Sequence, residues 1–362
     1  MNYLKIAIVG AGIAGLSCAY EFEKHGIMPT IFEKRRRIGE DIDFTTSTLK
    51  LFDRTYEDPL IYTKKEYGLD LEPLNVLSKI IMQGPTKKAI IKNTSGYIFR
   101  RGDIKNSLEN QLASYIKTPI TFYKHIYIDD IKSQYDFIID ATGLFDEAKK
   151  LDLLTPHLEA FARISTISGE FDINTIKMWV NTEYAKKCFA YRLAHSPNKA
   201  CLALTANNIS QKELDCYWEK FIAKENTQST IIKTTDVRHE IGAVFPHNFG
   251  NIFFIGKAGG FIDSLLGFGM LNAIETGILA ALYIIYKKSY EELVRPIFDQ
   301  NQSKYEIRKI LNTFENKDFD NLIKFLGSPG IKQMIYNNPF AKVHQAGKLA
   351  KLYNIFKGLH CL

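Results

Sequence analysis

Cysteine is scarce in this chain, and its few cysteines form no cooperating pattern. Cys18, Cys188, Cys201, Cys216 and Cys361 are scattered over 362 residues, odd in number and without a Cys-x-x-Cys pair. This excludes a disulfide framework and a ribbon-type zinc site, and it fits a reducing compartment. The eight histidines show no His-x-His or HExxH spacing, so no metal centre is expected. Long apolar runs are missing too: Gly277 to Tyr286 is the most apolar helical stretch, and it is too short to span a bilayer. A signal-peptide pattern is absent, because the chain enters a core-like strand near Leu4. These absences together lead us to expect a cytoplasmic protein. There is no internal repeat and no low-complexity tract.

What is present is an ordinary globular composition, 46% hydrophobic and 24% charged, in a chain long enough for about two domains. The net charge is +7, and many of the lysines lie beyond residue 286. Such an excess reads either as a solvated surface or as attraction to anionic lipid or another polyanion. No nucleic-acid partner is expected.

Residues 4–9 form a nearly continuous apolar run, as in a buried parallel strand. Gly10, Gly12 and Gly15 follow in GxGxxG spacing, then a helical stretch from Ile13 to His25 ended by Gly26. A second strand, Pro29 to Phe32, closes at Glu33. The unit is a βαβ motif whose glycine turn and helix N-terminus suit a dinucleotide pyrophosphate, and whose carboxylate suits ribose hydroxyls. Glu33 disfavours a 2′-phosphate, although Arg35, Arg36 and Arg37 lie just beyond it. This motif alone does not separate FAD from NAD.

Further along, strands are expected at 75–82 and 88–92, an amphipathic helix at 101–116, and a short buried strand at 137–140 before Ala141, Thr142 and Gly143. Residues 161–171, 175–181, 188–194 and 199–205 alternate and carry aromatics, which predicts an antiparallel sheet with the helix 214–224 packed on it. Parallel-strand character returns at 251–255. A second glycine-rich stretch, Gly256 to Gly269 (GKAGGFIDSLLGFG), then opens a long helix to Lys287. The rest of the chain is helical, polar and lysine-rich.

That second stretch resembles the second FAD motif of the geranylgeranyl reductase family of FAD-dependent oxidoreductases, which reads roughly GDAAGFxxPxxGxG. Small residues at Ala273, Thr276, Gly277, Ala280 and Ala281 continue the likeness. Arg101 to Leu108 resembles the family's R-x-x-F-D-x-x-L segment, with Arg100 as an alternative for the arginine. Asp140 to Gly143 resembles the ATG element of related flavoproteins, and Glu240 to Pro246 resembles the segment that returns the chain to the flavin. The stretch Cys188 to Ala194 is loosely similar to the family's substrate-cavity strand, with Phe189, Tyr191 and Leu193 at the large positions. Those aromatics read equally as plain core.

The resemblance implies an α/β fold of the para-hydroxybenzoate-hydroxylase type. This is a two-dinucleotide-binding-domain flavoprotein with a Rossmann-like FAD domain (1–43, 86–154 and 241–288), an inserted antiparallel-sheet substrate domain (44–85 and 155–240) and C-terminal helices (289–362). It implies FAD on Gly10, Gly12, Ile13, Ala14 and Gly15, with Glu33 and Lys34 at the ribose side. Arg101, Ala141 and Gly143 would follow at the cofactor, then Gly256 and Lys257. Gly267, Phe268, Gly269 and Met270 would stand at the flavin edge, where amides and a helix dipole favour the reduced ring.

Three departures stand out. Lys257 replaces an aspartate that accepts a ribityl hydrogen bond, which a lysine cannot do. Ser264 replaces a proline, and Ile38 to Phe44 lacks the Cys-x-Gly-Gly found in several members.

The expected activity is reduction of C=C bonds in an isoprenoid or other apolar substrate, with NAD(P)H or a reduced carrier protein as donor. A flavin monooxygenase is the alternative, although its DG element is missing. A degenerate FAD-binding protein is the alternative of another class. The catalytic acid is not identifiable. Lys342, Lys348, Lys351 and Lys357, beside Phe340, Leu349, Leu352 and Phe356, either touch a membrane peripherally or belong to helices that cover the substrate cavity.

Overall fold

A computed structural model describes residues 4–359 except Arg54, Tyr56, Thr94, Ser95, Asn226 to Gln228, Lys288 and Pro339, with side chains as far as Lys351. The side chains of Leu352, Phe356 and Lys357, and the whole of Cys361, lie outside the described residues.

Strand β1 (Ile6–Val9) is buried over its whole length. It pairs in parallel with β2 (Thr30–Phe32) on one side and β9 (Phe137–Asp140) on the other. The sheet extends through β8 (Ile120–Thr121) at one edge and through β16 (Ile252–Phe254) and β15 (Asn248–Phe249) at the other. The period-2 geometry of a strand sends its side chains to both faces. Ile6 and Ile8 pack under the helices Ile13–Lys24 and Met270–Tyr286, whereas Ala7 and Val9 join Ile138, Phe145, Val244 and Phe254 on the opposite face. The two helices touch closely because Gly277 lies against the first helix: a Cβ placed on it falls 2.3 Å from the Ala14 carbonyl oxygen.

A second sheet has seven strands in the order β14 (Thr230–Val244), β10 (Leu154–Ser168), β13 (Lys199–Asn207), β12 (Ala190–Ser196), β11 (Thr175–Trp179), β5 (Lys79–Gln83), β6 (Lys88–Lys92). Its pairs are antiparallel except β11 with β5. One face carries the helix Leu214–Glu225 through Trp179, Tyr184, Trp218 and Phe221. A small sheet of β3 (Asp43–Leu49), β7 (Gly96–Gly102) and β4 (Asn75–Val76) packs through β3 against β10, β12 and β13 of the seven-stranded sheet. The helices Tyr290–Leu311, Asn316–Leu326 and Val343–Leu359 close the structure.

Several expectations need correction. Arg101 ends strand β7 and does not start a helix; the helix runs only over Leu108–Ala113, capped by Ser107 Oγ accepting from the Asn110 amide at 3.2 Å. The left-handed conformations of Gly102 and Asn106 prevent helix between them. The expected strand 75–82 breaks at Leu77 and Ser78, its halves joining different sheets. Lys88–Lys92, counted above with the FAD domain, hydrogen-bonds to β5 in the seven-stranded sheet. Phe189 precedes β12, which begins at Ala190.

The close seam between the two helices gives a direct test. Gly277→Val should destabilise the chain by about 2–3 kcal/mol in urea unfolding, since the new methyls meet backbone that cannot yield. A change within about 0.5 kcal/mol would show that the seam is loose.

Candidate functional site

The C-terminal ends of β1, β2 and β9 open on one cavity of about 1910 Å³, which continues beneath the seven-stranded sheet to the C-terminal helices. At its mouth, Gly10 has φ +108°, and a Cβ there would fall 2.5 Å from the Ala141 carbonyl oxygen. Only glycine lets the turn pass this close to the strand beside it. The helix Ile13–Lys24 has Gly12 as its N-cap and no side-chain cap, and a Cβ on Gly12 would meet nothing within 4 Å. First-turn amides and a positive helix end thus face an open cradle lined by Gly10, Gly12, Ile13 and Ala14. Glu33 is 7% exposed; its carboxylate accepts from the Ala11 amide at 3.0 Å and the Arg35 amide at 2.9 Å. Glu33 lines the cavity, as do Lys34, Ala141 and Gly143. The carboxylate of Asp140 holds the Ala141–Gly143 turn through Thr142, accepting from its amide at 3.0 Å and its hydroxyl at 2.6 Å. Burial raises Asp140 to about 6.

Gly15 and Gly256 do not line the cavity. A Cβ on Gly15 would lie 2.0 Å from the Gly10 carbonyl oxygen, and one on Gly256 would lie 2.8 Å from the Ala14 methyl. Their role is to let the helices and both glycine turns approach. Of the two candidate arginines, Arg101 reaches the cavity; it pairs with the buried Glu109 and lies over the Phe44 ring. Arg100 turns away to Asp43 and His195.

The second glycine stretch forms a preset loop ahead of the helix Met270–Tyr286, which Gly269 opens without a side-chain cap. Asp263 holds this loop: its Oδ1 accepts from the Leu265 and Leu266 amides, both at 2.9 Å, and its own amide donates to the Phe268 carbonyl at 2.9 Å. Sequence reading missed Asp263, although a buried acid before a Leu-Leu-Gly turn is the residue type for an Asx turn. Gly267, Phe268, Gly269 and Met270 all face the cavity. Ser264, in place of the expected proline, bonds His157 Nδ1 at 2.8 Å, and that imidazole stacks on Tyr305 at 3.5 Å. The loop is thereby tied to β10 and to the helix Tyr290–Leu311.

Lys257 also faces the cavity, with no hydrogen bond from its ammonium to the described residues. Burial holds its pKa below the usual lysine value, Glu240 partly offsetting this and Lys149 adding to it. Beside it, His239 on β14 brings Nε2 to 3.7 Å from where a Cβ on Gly267 would be. Burial first, and Lys257 second, push His239 down to about 4, so its ring is neutral at neutral pH. Sequence reading missed His239 because it lies one residue ahead of the recognised segment Glu240 to Pro246, at the end of an exposed edge-strand stretch.

Beyond this loop the cavity becomes an apolar chamber. Phe189, Tyr191 and Leu193 all line it. Leu193 and Tyr191 pack in one cluster with Ile80, Met82, Ile176 and Phe268, so core and cavity lining are here the same residues. The C-terminal helices also line it, through Ile307, Ile310 and Leu311 on one and Phe319 and Ile323 on the next, with Phe314 from the turn between them. Charged residues line it too: Arg308 is 2% exposed and donates to the Lys187 carbonyl at 3.0 Å, and Lys187 and Lys342 also belong to the lining.

Comparison with known proteins agrees with this fold. Residues 8–54 match the NAD(P)-binding Rossmann-like domain family. A 125-residue stretch is 27% identical to a Drosophila melanogaster protein described as "Possible lysine-specific histone demethylase 1", covering 33% of this chain and 13% of that protein. Among solved structures, a geranylgeranyl bacteriochlorophyll reductase-like protein from Thermoplasma acidophilum superposes with a TM-score of 0.72 at 15% identity, covering 96% of this chain and 98% of that one. A flavin-dependent brominase gives 0.68 at 13% identity, over 98% and 99% of the two chains. A flavoprotein/dehydrogenase from Cytophaga hutchinsonii gives 0.62 at 13%, over 97% and 99%. The chain therefore has the fold of the FAD-dependent flavoproteins, with the Rossmann-like domain at its N-terminus.

The pairing of His239 with Lys257 has a measurable consequence. In the wild type, NMR titration of the imidazole should give a His239 pKa near 4. Lys257→Met removes the repelling cation and should raise that value part of the way toward 6.5, burial accounting for the rest. No movement would mean that the two side chains do not sense each other.

Proposed function

We propose that this chain is an FAD-dependent oxidoreductase that reduces C=C bonds of an apolar, isoprenoid-like substrate. One observation carries the reading: both glycine turns open on the same cavity, and that cavity continues directly into an apolar chamber. The residues at the mouth fit FAD. Free first-turn amides at Ile13 and Ala14 suit the pyrophosphate, Glu33 suits the ribose hydroxyls, and the uncapped helix start at Gly269 suits the flavin's pyrimidine edge. When bound, FAD supplies hydride chemistry in its reduced form.

The chain's own part is to position, enclose and hold protons. Asp263 and Ser264 fix the loop that carries Gly267. Phe189, Tyr191, Leu193 and the C-terminal helices enclose apolar substrate and exclude water. Lys257 Nζ and His239 Nε2 are the titratable atoms beside the flavin-facing turn, and the depressed lysine pKa makes Lys257 the better proton source of the two. The electron donor on this reading is NAD(P)H or a reduced carrier protein, and the one that bleaches the bound flavin identifies it.

Anaerobic mixing of dithionite-reduced protein with a geranylgeranyl lipid tests the reaction. The expected result is reoxidation of the flavin with loss of one alkene per flavin. Reoxidation only by oxygen, with peroxide or an oxygenated product, would move the assignment to a monooxygenase. A bound flavin that no donor reduces would leave a binding protein without turnover.

The cofactor reading has its own test. Glu33→Ala removes a charged acceptor, so FAD affinity should fall about 10- to 100-fold in a fluorescence titration. Unchanged affinity would remove Glu33 from the site.

A further inference from the structure

We infer that the C-terminal helices form a docking face for an anionic lipid bilayer, placed at the rim of the apolar chamber. The first observation is where exposed apolar side chains lie. Phe325, on the helix Asn316–Leu326, and Leu349, on the helix Val343–Leu359, both line the cavity and are 53% and 71% exposed. Met334 and Phe340, 58% and 67% exposed, stand on the segment between these helices and outside the cavity lining. Single exposed apolar residues are ordinary on any protein surface. Several on one segment, continuous with an apolar cavity, mark an interaction surface.

The second observation is charge. From Asn321 to Leu362 the chain has no aspartate or glutamate, while it holds Lys324, Lys332, Lys342, Lys348, Lys351 and Lys357. Lys324 and Lys348 are exposed and directly precede the rim residues Phe325 and Leu349. Lys351 is exposed one turn further on. Lys342 does not belong to this exposed set. It is buried and donates to the Lys50 carbonyl at 2.7 Å and the Thr55 carbonyl at 2.5 Å, which pins the start of the last helix to the body. The last acidic side chain before this segment, Asp320, is taken up by the Thr86 and Lys87 amides. Cations alternating with apolar side chains, with no acid among them, are complementary to anionic headgroups above acyl chains.

Of the polyanions that would meet such a face, a bilayer is the one that also contains apolar molecules able to enter the chamber. In that respect the inference rests on the reading of the chamber as an apolar-substrate site. Docking would let substrate pass from acyl phase to chamber without crossing water, where every exposed methylene is unfavourable.

Vesicle co-sedimentation of the full, FAD-loaded chain tests this without substrate or turnover. Binding is expected to phosphatidylcholine vesicles containing about one third phosphatidylglycerol, to weaken with salt, and to be small on phosphatidylcholine alone. Replacing Lys324, Lys348 and Lys351 together by Glu should weaken it at least about 100-fold. Phe325→Ser with Leu349→Ser should also weaken it, with a flavin spectrum and melting temperature that report retained folding. No binding to the anionic vesicles, or binding that the lysine replacements leave intact, overturns the inference. Binding that survives the two serine replacements also overturns it, since the face is then a general polyanion site. Vesicle binding without isoprenoid turnover would overturn the substrate reading and leave the docking face standing. Turnover of dispersed substrate without vesicle binding would do the reverse.

Discussion

The structure depends on a backbone-to-backbone approach at one seam. The helix that follows β1 must start close enough to that strand for its amides to face the sheet's carboxyl end, and the helix Met270–Tyr286 must lie directly on it. Gly15, Gly277 and Gly256 make both approaches possible, because at each of them a Cβ would stand within 3 Å of an atom of the Gly10 turn or of Ala14. Once the helices are seated, the two glycine turns, separated by more than two hundred residues of sequence, open into a single cavity. The inserted sheet is placed by the same seam, since β10 leaves the parallel sheet after β9 and β14 returns to it just before β15 and β16.

Chemistry in the cavity follows from which groups are left without protein partners. Most of its lining is apolar, so charged groups there are held in poorly solvating surroundings and shift toward their neutral forms. Lys257 and His239 show this together, each lowered by burial and the histidine lowered further by the lysine. The carboxylate expected at position 257 would have bonded a cofactor hydroxyl. On the proposed reading, the lysine would leave that hydroxyl to another partner, and it places a proton-bearing group in the cavity that Gly267 also lines. Ser264 is a second exchange with a structural consequence, since its bond to His157 supplies a tether where a proline would have stiffened the loop by covalent geometry alone.

Much of this was legible in the residues. Gly10, Gly15 and Gly256 mark backbone positions where a side chain would clash, and such positions show in a single sequence, as does a carboxylate such as Glu33 at the end of the second strand. The buried parallel strands were equally plain, because a strand covered on both faces reads as an unbroken apolar run. The parts that were not legible obey weaker local rules. β14 is exposed over Thr230 to Arg238 at the edge of its sheet, so no buried-face alternation marks it. Arg101 looked like a helix start because Ile104, Leu108 and Leu112 have helical spacing, yet Gly102 and Asn106 take left-handed conformations that the spacing does not reveal. The wall given by Ile307, Ile310 and Leu311 has a clear helical period. What it faces is a tertiary fact, and the same stripe would serve as ordinary core.

The central claim is that both glycine turns hold one FAD. Absorption of the purified chain, with chromatography of whatever heat releases from it, tests that claim most directly. The account predicts the two visible bands of oxidised flavin and release of FAD at one per chain. A colourless protein that takes up no FAD on titration, or one that releases NAD in its place, would contradict it.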